Sequence, residues 1–451
     1  MRFFDRLFSF WLSVLFLSLL FLPKINLISF GGKETAGIRF DDILLMLFCM
    51  VLFWAHFILQ KKTIEIENWI FALTGFSLLS FFLNRVFVAA GILHVNASIF
   101  YCLRLFEYFL FFYIGAISAF FFRPSRVIKA FFLWNMGLML LQKLGLIGQF
   151  TVAGYTPLVE DRVGGIASFP SEAGMLLNMV FCYLIYDEER AVQGRSFLSG
   201  RIRTFFEQSY IYWLFLICAA LVIITGSRIA ILALVVAFFF RIAKDLKQGR
   251  LGPWLIASVF VATGVFLFIF LIQNTDSVAG RSAGLLSFRN LELIGVVWDR
   301  IELTYDPIGN ESVSFDAYDM SWWMRIHKWC YALKIYYLNP ECYAQGVGPG
   351  FAMAALDGGF VRILTEYGLI GCFLFWKVFS PIYRQSTQLR WMVIAFLINM
   401  IFFDVYLAYK PMSLLFFVSG CTYSLAVLAD SSRKDEWTQS YKLAKNVSFG
   451  K

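Results

Sequence analysis

The chain reads as long apolar runs separated by short polar segments. A helix needs roughly 20 apolar residues to cross the hydrocarbon of a membrane. Twelve runs approach that length: 8–23, 41–59, 69–84, 99–121, 128–147, 171–186, 210–226, 229–243, 253–272, 361–380, 391–407 and 411–429. No internal repeat relates them. The first run, after Arg2 and Arg6, lacks an A-x-A-like cleavage site and reads as a retained span. The pattern predicts an all-α polytopic membrane protein. Helices 1–9 fill residues 1–272, a long loop fills 273–360, helices 10–12 fill 361–429, and 430–451 form a tail.

The loop breaks the rhythm. Between residues 273 and 349 it carries nine acids against six bases, and residues 319–338 (DMSWWMRIHKWCYALKIYYL) predict an amphipathic helix. Its Trp322, Trp323 and Trp329 suit a membrane interface. A loop of this length inside a helical bundle is usually functional.

Composition closes other routes. The 451 residues are 60% hydrophobic and only 15% charged, too apolar for one soluble body. The net charge of +9 then signifies cytoplasmic anchoring and not nucleic-acid binding. With the N-terminus inside, the segments assigned to the cytoplasm hold 22 Lys and Arg, against seven in the short external segments. That bias places both termini in the cytoplasm and the long loop outside. Six of the eight cysteines fall inside apolar runs as small hydrophobes. Cys330 and Cys342 lie outside them and form the one pair open to a disulfide. No CxxC or Cys/His cluster points to a metal.

Charge at the mouth of a bundle is costly and tends to be functional. Four arginines stand there in this topology: Arg162, Arg228, Arg325 and Arg362. Converging guanidinium groups would bind a diphosphate or carboxylate bidentately, although each can equally snorkel or pair locally, and Arg362 has Glu366 at i+4. Candidate bases are Glu172, Asp357 and His327. Glu172 and Asp357 can also serve as helix N-terminal residues. Gly346, Gly348 and Gly350 in QGVGPGF lack the strand and Lys-Ser/Thr of a nucleotide loop, but suit a tight turn near a ligand. Arg104 and Glu107 are spaced to neutralise each other. Asp404 and Lys410 either pair or line a polar cavity.

Three of these blocks resemble one family. TGSRIAILALVVAFFF is similar to the TGSR-plus-helix signature of the O-antigen ligase/polymerase superfamily, and so is the stretch RIHKWCYALKIYYLNPECYAQGVGPGFAMAALDGGFVRILTEYGLIGCFLF. RVGGIASFPSEAG resembles an Arg-to-Pro-Ser-Glu element of the same group. Ligases that join O-antigen to lipid A core carry His-Asn before the G-L-I-G run. Here Asp357 and Gly358 stand in those places, which resembles the Wzy-type polymerases of O-antigen, capsule or exopolysaccharide.

The resemblance implies a metal-independent, cofactor-free GT-C-like glycosyltransferase of the bacterial inner membrane, acting at its periplasmic face. Donor and acceptor would both be oligosaccharides linked to undecaprenyl diphosphate, and a flippase and chain-length regulator would be partners. Arg228 and Arg325 would hold the diphosphate, Arg162 the diphosphate or acceptor, and Asp357 or Glu172 would act as base. Arg362, His327 and the three glycines would complete the substrate site. The ligase remains an alternative, as do a lipid-linked-oligosaccharide flippase and a peptidoglycan glycosyltransferase of the SEDS type.

Overall fold

The computed structural model describes residues 2–23, 26–29, 37–59, 64–151, 154–156, 162–193, 200–247, 289–301, 303, 320–352 and 356–448. Helix falls on eleven of the twelve apolar runs; the ninth, 253–272, lies outside the described residues. In chain order the helices are α1 (Arg2–Phe21), α2 (Phe40–Leu59), α3 (Glu65–Ala89), α4 (Arg104–Ser118), α5 (Pro124–Lys143) and α6 (Pro170–Gln193). They continue as α7 (Gly200–Thr225), α8 (Arg228–Lys247), α9 (Arg289–Arg300), α10 (Met320–Leu338), α11 (Gly359–Gln385), α12 (Thr387–Asn399) and α13 (Tyr409–Ser448).

Four described stretches are long and apolar enough to cross a membrane: Glu65–Ala89, Ile99–Ser118, Gly359–Gln385 and Tyr409–Ala429. Helices satisfy their own backbone groups, which hydrocarbon demands. The protein is a helical membrane protein.

Close backbone approach sets the centre of the bundle. α4 and α13 form its most extensive helix pair. A Cβ built on Gly115 would lie 2.0 Å from the Phe417 carbonyl, and one on Gly420 would lie 1.8 Å from that of Phe112. Small residues let two membrane helices touch in this way. A second, smaller apolar cluster joins α9, α10 and residues 342–356 through Leu293, Val297, Trp323, Ile335 and Val347.

The structure departs from the sequence expectation in three places. Two short antiparallel hairpins interrupt the helices, Asn26–Ser29 with Gly37–Arg39 and Gln149–Thr151 with Gly154–Thr156. The run 391–407 is not one helix: α12 stops after 13 residues, which rise only about 20 Å. The freed carbonyls of Met400 and Phe403 accept the Gly359 N–H at 2.9 and 3.1 Å. The tryptophans of α10 pack on neighbouring rings. Trp323 is buried against His327, and Trp322 and Trp329 pack on Phe402, since neighbouring rings cover them better than solvent. Cys330 and Cys342 are buried free thiols, pushed up to about 11 and about 12 by burial.

α11 is also broken. Gly368 takes φ 63° and ψ −165° inside it, a conformation only glycine adopts readily. The QGVGPGF run fills the break. Leu369 and Ile370 donate to the carbonyls of Tyr343 and Ala344 at 3.0 and 3.1 Å. In return Val347 and Gly348 donate to the Thr365 and Glu366 carbonyls at 2.8 and 3.1 Å. These four backbone groups beside the kink thus find partners within the protein.

Candidate functional site

The TGSR turn builds one wall of a cavity. Thr225 ends α7, its hydroxyl donating to the Val222 carbonyl at 2.7 Å. Gly226 turns the chain at φ +65°, and α8 begins at Arg228. Arg162 lies across this turn, its Nε donating to the Thr225 carbonyl at 2.9 Å. A Cβ on Gly226 would meet that Nε at 2.9 Å, so the glycine makes room for the guanidinium.

The cavity has a volume of about 380 Å³ and is lined by Arg162, Arg228, Arg325 and Asp357, with Ser171, Gly226, Ser227, Trp322, Phe402 and Phe403 among the others. Ser171 belongs to the first turn of α6 and Arg228 to the first turn of α8, so two helix N-termini open onto it. Helix N-termini attract anions, and a cation placed there costs about 0.3–1 kcal/mol. Arg228 therefore opposes the dipole of its own helix, a cost that a bound anion reverses. Arg325 reaches in from α10, its guanidinium carbon 5.9 and 6.0 Å from the Phe402 and Phe403 rings. Among the described residues, three arginines and one carboxylate thus line the cavity, together with Trp322, Phe402 and Phe403.

Asp357 arrives in an unusual backbone state. It is the one non-glycine among the described residues with positive φ, at 57°. Its turn is held by the Asp404 carboxylate, which accepts from the N–H groups of Leu356, Asp357 and Gly358 at 2.7, 3.3 and 3.2 Å. The Trp329 indole donates to the Asp357 carbonyl at 3.3 Å. The side chain pairs with Lys328 of α10, Nζ to Oδ2 at 2.9 Å.

Four of the sequence-predicted residues thus share one cavity: Arg162, Arg228, Arg325 and Asp357. The structure places the remaining six elsewhere. Glu172 is 9% exposed, and both carboxylate oxygens accept backbone N–H groups, those of Ser168 and Lys410, each at 3.1 Å. It caps the start of α6 and ties it to α13. Arg362 is fully buried, bridging Glu366 and Asp404 at 2.8 Å each. His327 is buried with Nδ1 3.0 Å from the Trp323 carbonyl, and burial lowers its pKa from the ordinary histidine value. Gly346 and Gly348 meet the Glu366 backbone and the Asn84 side chain, and Gly350 meets the Tyr101 ring. Gly346 packs the loop into the break in α11, where a Cβ would collide, and Gly348 and Gly350 seat it against Asn84 and Tyr101. Asp404 does not pair with Lys410, whose ammonium instead caps α1 through the Leu19 and Leu20 carbonyls at 2.8 and 3.2 Å.

Two residues of the site escaped the sequence reading. Lys328 stands one helical turn beyond Arg325, on the same face of α10, and that i, i+3 spacing was the available signal. The role of Asp404 had none, because its partners lie 42 to 48 residues away.

Among the described residues, one acidic group elsewhere brings its oxygens within 4.8 Å, that of Asp41, Asp42 and Glu107. None of the three lines the cavity, and Glu107 pairs with Arg104 at 3.9 Å. Comparison of the chain with protein-family models and with curated proteins finds no match. Fold and site together define a helical membrane protein with a cationic, aromatic-floored cavity.

Proposed function

We propose that the protein is a polysaccharide polymerase that transfers a growing glycan from undecaprenyl diphosphate onto a lipid-linked repeat unit. In this reading it crosses the bacterial inner membrane about twelve times, with both termini in the cytoplasm and the cavity open to the periplasm. The carrying observation is the gathering of Arg162, Arg228 and Arg325 with a single carboxylate, Asp357, on one cavity.

The chemistry follows from the charges. An acceptor hydroxyl oxygen attacks the anomeric carbon of the donor sugar. The bond from that carbon to the diphosphate oxygen breaks, and the diphosphate leaves with the electron pair. Asp357 takes the hydroxyl proton as general base. Guanidinium forks suit the departing diphosphate, and each preorganised donor aimed at developing charge is worth about 3 kcal/mol. Trp322, Phe402 and Phe403 offer apolar faces to sugar or lipid.

A deletion strain separates this reading from the ligase and flippase alternatives. For an O-antigen, loss of a polymerase leaves lipid A core capped by one repeat, with no ladder on electrophoresis. A capsule or exopolysaccharide polymerase would lose its polymer with the lipopolysaccharide pattern unchanged. A bare core band would instead signify a ligase or flippase and contradict the proposal.

A further inference from the structure

The turn that carries Asp357 is fixed along its backbone but not at its side chain. Three consecutive N–H groups, from Leu356 to Gly358, are taken by Asp404, and the Asp357 carbonyl is taken by Trp329. These bonds hold residue 357 at positive φ and leave its side-chain torsions unset. At 31% exposure the carboxylate would be free to swing towards water. One ion pair opposes that motion.

The other half of the pair is Lys328. Its side chain is only 10% exposed, and its ammonium lies 2.9 Å from Asp357 Oδ2. A lysine buried to this degree needs a charged partner. Lys328 and Arg325 are three residues apart, so one face of α10 carries both a cation of the cavity wall and the cation behind Asp357. Lys328 itself does not line the cavity. It stands behind the carboxylate, where it touches Asp357 and not the space a ligand would fill.

We infer that Lys328 is a positioning residue: its ammonium aims the Asp357 carboxylate into the cavity and registers it against the Arg325 guanidinium. The inference rests on the polymerase reading, in which Asp357 takes the acceptor proton. The charged groups around that carboxylate are Lys328 and Arg325 from α10, Arg228 from α8, Arg162 across the TGSR turn, and Asp404 with Arg362 behind the turn. Among the described residues, Lys328 alone of these contacts a side-chain oxygen of Asp357.

The test is steady-state kinetics of the full-length protein in proteoliposomes, with lipid-diphosphate-linked repeat units purified from the deletion strain. Misplacement of a reacting group by about 1 Å costs up to ~10²-fold, and a loss confined to kcat marks an interaction made in the transition state. Lys328→Met should lower kcat at least ~10-fold with donor KM within ~3-fold of wild type. Lys328→Arg should recover most of the rate, because arginine restores the charge behind Asp357. Lys328→Met combined with Asp357→Asn should be no slower than Asp357→Asn alone, since the lysine acts only through the carboxylate.

A rise in donor KM of at least ~10-fold in Lys328→Met would make Lys328 a ligand-binding cation and overturn the inference. Multiplicative losses in the double variant would also overturn it. An unchanged kcat in Lys328→Met would do the same while leaving the polymerase reading intact. Absence of polymer from the wild-type protein would remove that reading, and the inference with it. Should Lys328→Met fail to accumulate, Lys328→Gln and Lys328→Arg carry the same comparison: glutamine slow, arginine near wild type.

Discussion

Two groups of charges lie within one turn of chain from each other and are built in opposite ways. Around Arg362 a single guanidinium meets two carboxylates, Glu366 and Asp404, and neither Arg362 nor Glu366 has measurable exposure. In the adjoining cavity three guanidinium groups meet one carboxylate around open space. The buried group is complete in itself: each charge has a partner, and the ligand is the protein. The cavity brings its guanidinium side chains to open space that a ligand can fill. Both groups come from the same kind of residues, often from the same motif, so residue type alone does not tell a structural ion cluster from a binding site. Open volume does.

This contrast is broken most severely at its two arginine sets. Arg362→Met strands two carboxylates in the interior, which should destabilise the fold by about 3–5 kcal/mol. Thermal melting of the detergent-purified protein reads that loss. Arg228→Ala and Arg325→Ala should melt within about 1 kcal/mol of wild type while abolishing polymer, and lysine at either position should restore little. An Arg362→Met protein that melts like wild type would erase the distinction.

Next in size is the carboxylate. Asp357→Asn should cost at least ~10²-fold in polymer formation if it is the base. Glu172→Gln separates the two candidates, because both Glu172 oxygens already hold backbone N–H groups. It should lower stability by about 1 kcal/mol and leave the rate near normal. The reverse pattern would move the proton to Glu172.

Smaller effects follow from the glycine loop and the thiols. Gly346→Ala places a Cβ 2.2 Å from the Glu366 carbonyl at φ +79°, a change that should cost at least ~2 kcal/mol. Gly295 in α9 has nothing within 4 Å of a built Cβ, and its alanine variant should gain about 0.5–1 kcal/mol. Equal melting of the two would show that the loop does not plug the break in α11. Cys330 and Cys342, buried with pKa values pushed up to about 11 and about 12, should resist maleimide in the native state at neutral pH. Both should react after denaturation without any reductant, as mass spectrometry would record.

The residues differ in how much of this their sequence disclosed. Helix positions were legible because a spanning helix must be apolar over roughly 20 residues, whatever its neighbours are. The breaks were not. Gly368 and the unwinding after Asn399 leave hydropathy unchanged, since they alter backbone geometry inside an apolar context. The grouping of Arg162, Arg228, Arg325 and Asp357 was readable from motifs drawn from separate regions of the chain. The diversion of Arg362 was half readable: Glu366 at i+4 announced one partner, while Asp404, 42 residues on, could be read only as pairing with Lys410 or lining a polar cavity. Gly346, Gly348 and Gly350 looked like a ligand turn because glycine marks close approach without saying to what. Here the close neighbours are the Glu366 backbone, Asn84 and Tyr101.

The central claim is that the cavity binds a lipid diphosphate through its guanidinium groups. Isothermal titration of the purified full-length protein with farnesyl diphosphate tests it without the sugar. The account predicts saturable binding that weakens at least ~10-fold, about 1.4 kcal/mol, in Arg228→Ala and in Arg325→Ala, and is unchanged in Glu172→Gln. Binding of equal strength in wild type and both arginine variants would contradict it.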